Sequence, residues 1–163
     1  MNFEIRNMQP EDASRVLQIF QQGINGGSAT FETEVPRWEA WEMSHHQFSR
    51  FVIENDQDQV VGWCALQQVS KRNCFSGVAE ISIYIDEAFK KLGLGTILMK
   101  KLILDSEDHG IWTLQSMIFP ENKASIALHQ KLGFRIVGIR TKLAQLNSEW
   151  KDVALLERRS REI

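Results

Sequence analysis

Val78-Ala79-Glu80-Ile81-Ser82-Ile83-Tyr84-Ile85 followed by Lys90-Lys91-Leu92-Gly93-Leu94-Gly95-Thr96 is the stretch that decides the fold. Glu80, Ser82 and Tyr84 alternate with Ile81, Ile83 and Ile85, the period of two that a β-strand imposes, so one face is apolar and the other carries chemistry. Beyond the glycine pair, Leu94, Ile97, Leu98 and Leu102 recur at helical spacing, and His109-Gly110 supplies the stop. The glycine turn therefore lies where a strand hands over to a helix. There the first backbone N–H groups of the helix lack internal partners and its dipole favours an anion. Glycine at 93 and 95 removes the Cβ atoms that would hold a pyrophosphate away from the backbone, while Lys90 and Lys91 add positive charge. An ordinary turn using glycine for positive φ has the same appearance, so the turn alone leaves both readings open. It is not a Walker loop, because the Gly-Lys-Ser/Thr ending is absent, and no third glycine follows at dinucleotide-binding spacing.

Working outward, Phe3 and Ile5 mark a first strand. Pro10 with Glu11 and Asp12 opens a helix whose Val16, Leu17, Ile19 and Phe20 share a face and which ends at Gly23–Gly27. Ser28-Ala29-Thr30-Phe31-Glu32 reads as a loop, and Pro36 begins a second helix expected to carry Trp38, Trp41 and Phe48. Phe51-Val52-Ile53 and Val60 to Val69 form a hairpin across Asn55-Asp56-Gln57-Asp58, and Ser70 to Gly77 is a longer connection. After the central helix come a strand from Trp112 to Phe119 and a short helix from Asn122 to Leu132 ended by Gly133. Two last strands, Phe134 to Leu143 and Trp150 to Leu156, are joined by Gln145–Glu149. Hairpins mixed with strand–helix–strand crossovers predict a mixed α/β sheet, and no repeat or linker divides residues 1–163 into more than one domain.

Composition agrees and excludes other classes. A chain of 163 residues with 43% hydrophobic and 25% charged content closes one core. Nineteen Lys+Arg against 21 Asp+Glu give a net charge of −2, which supplies no field for a nucleic-acid backbone. The apolar runs fall far short of the roughly 20 residues of a membrane span. Met1 to Arg6 lacks the order of a secretion signal, so the chain is expected in the cytoplasm. Cys64 and Cys74 make neither a disulfide framework nor zinc spacing, and His45-His46 would diverge on a helix, so no metal is expected.

Lys90-Lys91-Leu92-Gly93-Leu94-Gly95 resembles the Arg/Gln-x-x-Gly-x-Gly/Ala pyrophosphate loop of the GNAT superfamily of N-acetyltransferases, with Lys90 where Arg or Gln is usual. The flanks sharpen the resemblance: Glu80–Ile85 ahead of the loop, Asn122-Lys123-Ala124-Ser125 and His129–Phe134 behind it, and Trp150-x-Asp152 near the end. Together with the weaker echoes Ser28–Phe31 and Arg72-Asn73-x-Phe75, these segments look like the phosphinothricin and methionine sulfoximine acetyltransferase branch, over most of the chain. The resemblance implies a mixed, mostly antiparallel central sheet with flanking helices and a splayed central strand pair. It also implies acetyl-CoA as co-substrate and no metal. With the Trp-rich second helix it points to a homodimer.

Acetyl transfer from a thioester to an amine needs a neutral amine, a polarised carbonyl and a proton for the departing thiolate. Glu80 is the candidate base, acting through a water; read alone it is equally a solvated carboxylate, and the resemblance places it on the branch's catalytic acid. The resemblance assigns the pyrophosphate to Lys91, Leu92, Gly93, Leu94, Gly95 and Thr96, and the pantetheine and acetyl oxygen to the backbone of Ile83, Tyr84 and Ile85. The side chains of Ile83 and Ile85 read equally as core. Asn122, Ser125, Ile126 and His129 share one helical stripe. By resemblance Asn122 touches the cofactor, Lys131 lies near its mouth, and His129 stands where a Tyr commonly protonates the thiolate. An imidazole with a pKa near 6.5 can serve as that acid at neutral pH, although a lone helical His is also an ordinary surface residue.

For the acceptor, Arg72 is the natural clamp on a carboxylate, Phe31 and Phe75 can wall its side chain, and Ser82 shares the Glu80 face. Solubility for Arg72 and core packing for the phenylalanines remain alternatives. No Cys-plus-His motif supports an acyl-cysteine, which favours direct transfer in a ternary complex. The sequence reading is thus an acetyl-CoA-dependent N-acetyltransferase acting on a small amino-acid-like amine. The alternatives are a protein or peptide N-acetyltransferase and a non-catalytic acyl-CoA-binding module; Glu80 and His129 argue against the latter.

Overall fold

A computed structural model describes all 163 residues. The strands are β1 (Phe3–Asn7), β2 (Phe51–Asn55), β3 (Val60–Gln68), β4 (Val78–Ile85), β5 (Thr113–Ile118), β6 (Arg135–Leu146) and β7 (Glu149–Arg159). The helices are α1 (Ala13–Gly26), α2 (Trp38–Ser44), α3 (Leu94–Asp108) and α4 (Lys123–Lys131). The strands form one sheet of order β1-β2-β3-β4-β5-β7-β6. Every neighbouring pair is antiparallel except β4–β5, which is parallel because α3 intervenes as a crossover.

The inner strands are apolar on both faces because both are covered. Val52, Trp63 and Ala65 pack under α1 and α2 with Val16, Ile19, Phe20 and Trp41. Phe51, Ile53, Cys64 and Leu66 face the other way, against Leu98, Met99 and Leu102 of α3, and Ile126 and Leu132 at α4 join that layer. Alternation along β4 divides it likewise: Ile81, Ile83 and Ile85 pack on the α3 layer, and Tyr84 on the α1/α2 layer.

Three local features differ from the sequence expectation. Pro10–Asp12 is a single 3-10 turn ahead of α1, fixed by the Asp12 carboxylate, which accepts from the Gln9 N–H at 2.8 Å. The second helix stops at Ser44, short of Phe48, because the His46 N–H donates to the Leu66 carbonyl at 2.8 Å and draws the chain extended; Phe48 instead stacks between His46 and His109. The last two strands are longer than expected and turn on Asn147-Ser148 alone, both at positive φ (50° and 66°), the primed geometry that matches strand twist.

The feature that positions the site is a fork. β4 and β5 pair at Val78↔Thr113, Ala79↔Leu114 and Glu80↔Gln115 and no further. β4 continues on β3 as far as Ile85↔Gly62, while β5 continues on β7 as far as Ile118↔Ala154. The sheet opens between them, as the expected splay requires.

Candidate active site

A cavity of about 530 Å³ occupies the fork and takes side chains from both layers: Phe31, Trp41 and Glu80 on one side, Asn122, Ser125 and His129 on the other. Glu80 sits at the last paired register, where Gln115 Nε2 of β5 donates to its Oε1 at 3.0 Å. Ser82 and Tyr84 follow on the same strand face and also line the cavity. The Tyr84 ring packs against Phe20 and Trp63, each at 5.1 Å, which also meet each other at 6.0 Å. Burial pushes its phenol up to about 12, so the O–H stays protonated.

The ladder parity of β3–β4 decides which backbone groups face the opening. Asp86 N–H donates to Val61 O, and Val69 N–H to Val78 O, so the even-numbered residues of β4 bond to β3. The main-chain groups of Ile83 and Ile85 therefore point to the side where β5 has departed. Those of Tyr84 pair with Trp63, so its contribution to the cavity is its side chain.

At the start of α3, Gly93 caps the helix at φ 78° with no side-chain cap. Ile97 N–H makes the first intrahelical bond, to Gly93 O, which leaves the N–H groups of Leu94, Gly95 and Thr96 without helical partners. A Cβ at Gly93 would meet nothing within 4 Å, so the space before these donors is open, whereas one at Gly95 would lie 3.2 Å from Leu128 Cδ2. Lys91 and Leu92 are exposed beside them. Lys90 is paired with Glu87 at 2.5 Å, leaving Lys91 as the free cation of the turn. Three unpartnered donors, a helix dipole and a cation fit a pyrophosphate. Lys131 is exposed in the last turn of α4.

His129 is buried, not a surface residue. Its Nδ1 lies 2.7 Å from the Ser125 carbonyl and its Nε2 2.8 Å from Ser116 Oγ. Burial holds its pKa below the usual 6.5, so the ring is neutral at pH 7. Asn122 caps α4, its Oδ1 accepting from the Ser125 N–H at 3.3 Å, and its amide reaches the Ser28 carbonyl at 3.4 Å.

The structure does not bring every acceptor candidate together. Phe31 lines the cavity, edge-on to Phe119 at 4.8 Å. Arg72 and Phe75 lie exposed on the β3–β4 loop, the guanidinium 5.4 Å over the Phe75 ring, outside the cavity lining. The charged lining residues are Glu32 and Glu80, with no Lys or Arg among them. Cys64 is locked in the core, where burial raises its thiol pKa, and Cys74 is exposed; neither lines the cavity. No cluster of three or more His, Cys, Asp or Glu converges in the structure, and no helix is long and apolar enough to cross a membrane. Sequence reading missed Gln115 and Ser116. Their signal is a polar pair between Leu114 and Met117 in the strand that pairs with Glu80.

A parted parallel strand pair, a carboxylate at the fork and a glycine-capped helix beside it define an N-acetyltransferase of the GNAT type. The chain belongs to the acetyltransferase (GNAT) family, which it matches over residues 15–134. It is 30% identical over 158 residues to YwnH of Bacillus subtilis, whose name carries a provisional assignment as a phosphinothricin acetyltransferase; the match covers 94% of this chain and 97% of that one. It is 24% identical to the L-methionine sulfoximine/L-methionine sulfone acetyltransferase of Pseudomonas aeruginosa, over 96% of this chain and 94% of the relative. Its fold superposes on a phosphinothricin acetyltransferase from Sinorhizobium meliloti solved with acetyl-CoA, at TM-score 0.89, 23% identity and coverage of 98% and 89%.

Proposed function

We propose that this enzyme transfers the acetyl group of acetyl-CoA directly to the amino group of a small amino-acid-like substrate. The observation that carries the reading is Glu80: it is held by Gln115 at the fork and faces the same cavity as the free backbone of the parted strand. Acetyl-CoA supplies the acetyl group as a thioester. Lys91 to Thr96 hold its pyrophosphate, the main chain of Ile83 and Ile85 binds its pantetheine and polarises the acetyl oxygen, and Asn122 and Lys131 flank it. Glu80 takes the proton of the acceptor ammonium through a water, and Ser82 and Phe31 orient the acceptor. A cavity of about 530 Å³ suits a small molecule, and the names of the relatives point to amino-acid analogues.

For Arg72 to clamp the acceptor carboxylate, the β3–β4 loop must carry it and Phe75 to the cavity, because both stand exposed outside its lining. We also read the enzyme as cytoplasmic and as a homodimer, the latter supported by Ile136 and Ile139, 41% and 51% exposed on the edge strand β6. A second reading, acetylation of a peptide N-terminus, rests on the acidic lining of the cavity, which favours a cationic acceptor over an anionic one.

The test is thiol release from acetyl-CoA with phosphinothricin, methionine sulfoximine, free amino acids, their amides and short peptides. Turnover on the free acids and not on amides or peptides supports the first reading. Preference for peptides supports the second, and binding of acetyl-CoA without turnover on any amine refutes both.

A further inference from the structure

His129 as it stands is arranged to receive a proton. The Ser125 carbonyl can only accept, so in the neutral ring the proton is on Nδ1 and Nε2 carries the lone pair. Ser116 must then donate its hydroxyl proton to Nε2, which leaves the lone pairs of its oxygen free. Ser116 and His129 are 3% and 2% exposed, yet both line the cavity at the fork. The ring is fixed edge-on by Phe134 at 5.0 Å, so it has one orientation for this bond. No charged side chain bonds to it; the titratable groups that share the cavity are Glu32, Glu80, Tyr84 and His45.

A neutral His129 in this tautomer has no proton to give a thiolate until it has first taken one. We propose that Ser116 is the relay residue that loads and then discharges it, carrying one proton from the acceptor nitrogen to the departing sulfur. This inference rests on the N-acetyltransferase reading. As the nitrogen–carbon bond forms, the nitrogen loses a proton to Ser116 Oγ while the Ser116 proton passes to His129 Nε2. As the carbon–sulfur bond breaks and its electron pair goes to sulfur, His129 Nε2–H returns its proton to Ser116 Oγ, and the Ser116 proton goes to sulfur. The products are the amide and the free thiol, and both residues are restored. The other proton, that of the acceptor ammonium, leaves through Glu80. No further acid, base or oxidant is needed.

The experiment compares wild type with Ser116→Ala and Ser116→Thr on the best acceptor of the panel, with acetyl-CoA affinity and circular dichroism measured alongside. Ser116→Ala should lower kcat about 100-fold, the low end of acid–base contributions, with acetyl-CoA affinity and acceptor KM little changed. Ser116→Thr, which keeps the hydroxyl, should recover most of it. A proton inventory on kcat in mixed H₂O and D₂O should be curved for wild type and straight for Ser116→Ala. An active wild type with an unimpaired Ser116→Ala overturns the relay alone, as do Ala and Thr variants impaired equally, which marks a packing role. A wild type that binds acetyl-CoA and acetylates nothing overturns the enzymatic reading and the relay with it. If Ser116→Ala does not fold, nitrogen NMR of wild type decides: an unprotonated His129 Nε2 at pH 7 supports the relay, and a protonated one overturns it.

Discussion

Lowering the pH should destabilise this protein in two stages, the first set by His45. Its ring lies face to face with Trp41 at 4.0 Å and edge-on to Trp63, and its Nδ1 is 2.6 Å from the Trp41 carbonyl. Burial, assisted by the charges of Arg50 and His46, lowers its pKa from 6.5 to about 4. The unfolded chain therefore binds a proton at His45 near pH 6.5, while the folded chain does not until about pH 4. Stability is full above pH 6.5 and falls as the pH drops between those values. The gap corresponds to about 3 kcal/mol, a large share of the roughly 5–15 kcal/mol that holds a typical domain together. His46 and His129, also lowered by burial, add loss of the same sign. The second stage lies lower. Burial raises the carboxyls of Asp12 and Asp86, but bonds from Arg6 to Asp12, and from the Ala88 N–H and Arg15 to Asp86, hold them below 3.8. Urea unfolding followed by tryptophan fluorescence from pH 7 to 4 should show the first loss. His45→Asn, whose amide can still donate to the Trp41 carbonyl, should remove most of it. Equal losses in wild type and His45→Asn would refute the assignment.

Glu80→Gln should preserve acetyl-CoA affinity and lower kcat by roughly 10²- to 10⁴-fold, a defect that shrinks as pH approaches the pKa of the acceptor amine; unchanged turnover at neutral pH would remove Glu80 from the chemistry. Gln115→Met should lower kcat by about 10-fold or more through loss of a hydrogen bond to a charged group, with the melting temperature as the control for folding. Gly93→Val, which forces a branched side chain to φ 78°, should weaken acetyl-CoA binding in calorimetry far more than Lys90→Gln, whose ammonium is already held by Glu87. Arg72→Ala should raise KM for a free amino acid by roughly 2- to 5-fold, the effect of a solvent-exposed ion pair, and leave its amide nearly unaffected; equal losses would assign Arg72 to loop order.

The strand Glu80–Ile85 and the glycine turn were legible because their signals are local: a period of two, then a period of 3.6 behind glycine. The fork is not local. It depends on β4 leaving β5 beyond Gln115 while β5 stays paired with β7 along its whole length, and only resemblance to a family could supply it. Gln115 and Ser116 were missed for the same reason, since they meet Glu80 and His129 across 35 and 13 residues. His129 was legible as a position and not as an environment: the helical stripe placed it, but the covering by β5 and Phe134 that buries it is tertiary. Phe48 left its expected helix because a backbone bond to Leu66 outweighed helix continuation. The Asn147-Ser148 turn escaped notice because it lacks the Asn-Gly pair that usually announces a two-residue hairpin.

An opening between two parted strands lets one cavity collect side chains from both faces of the sheet. Phe31 and Trp41 line it from the side of α1 and α2, and Asn122 and His129 from α4. If the two reactants enter from opposite faces, neither product has to wait for the other to clear the way. The acetylated product should accordingly compete with the amine for its face while leaving the other free, and free CoA should do the converse. Product-inhibition patterns would thus record, in kinetic form, which side of the sheet each molecule uses.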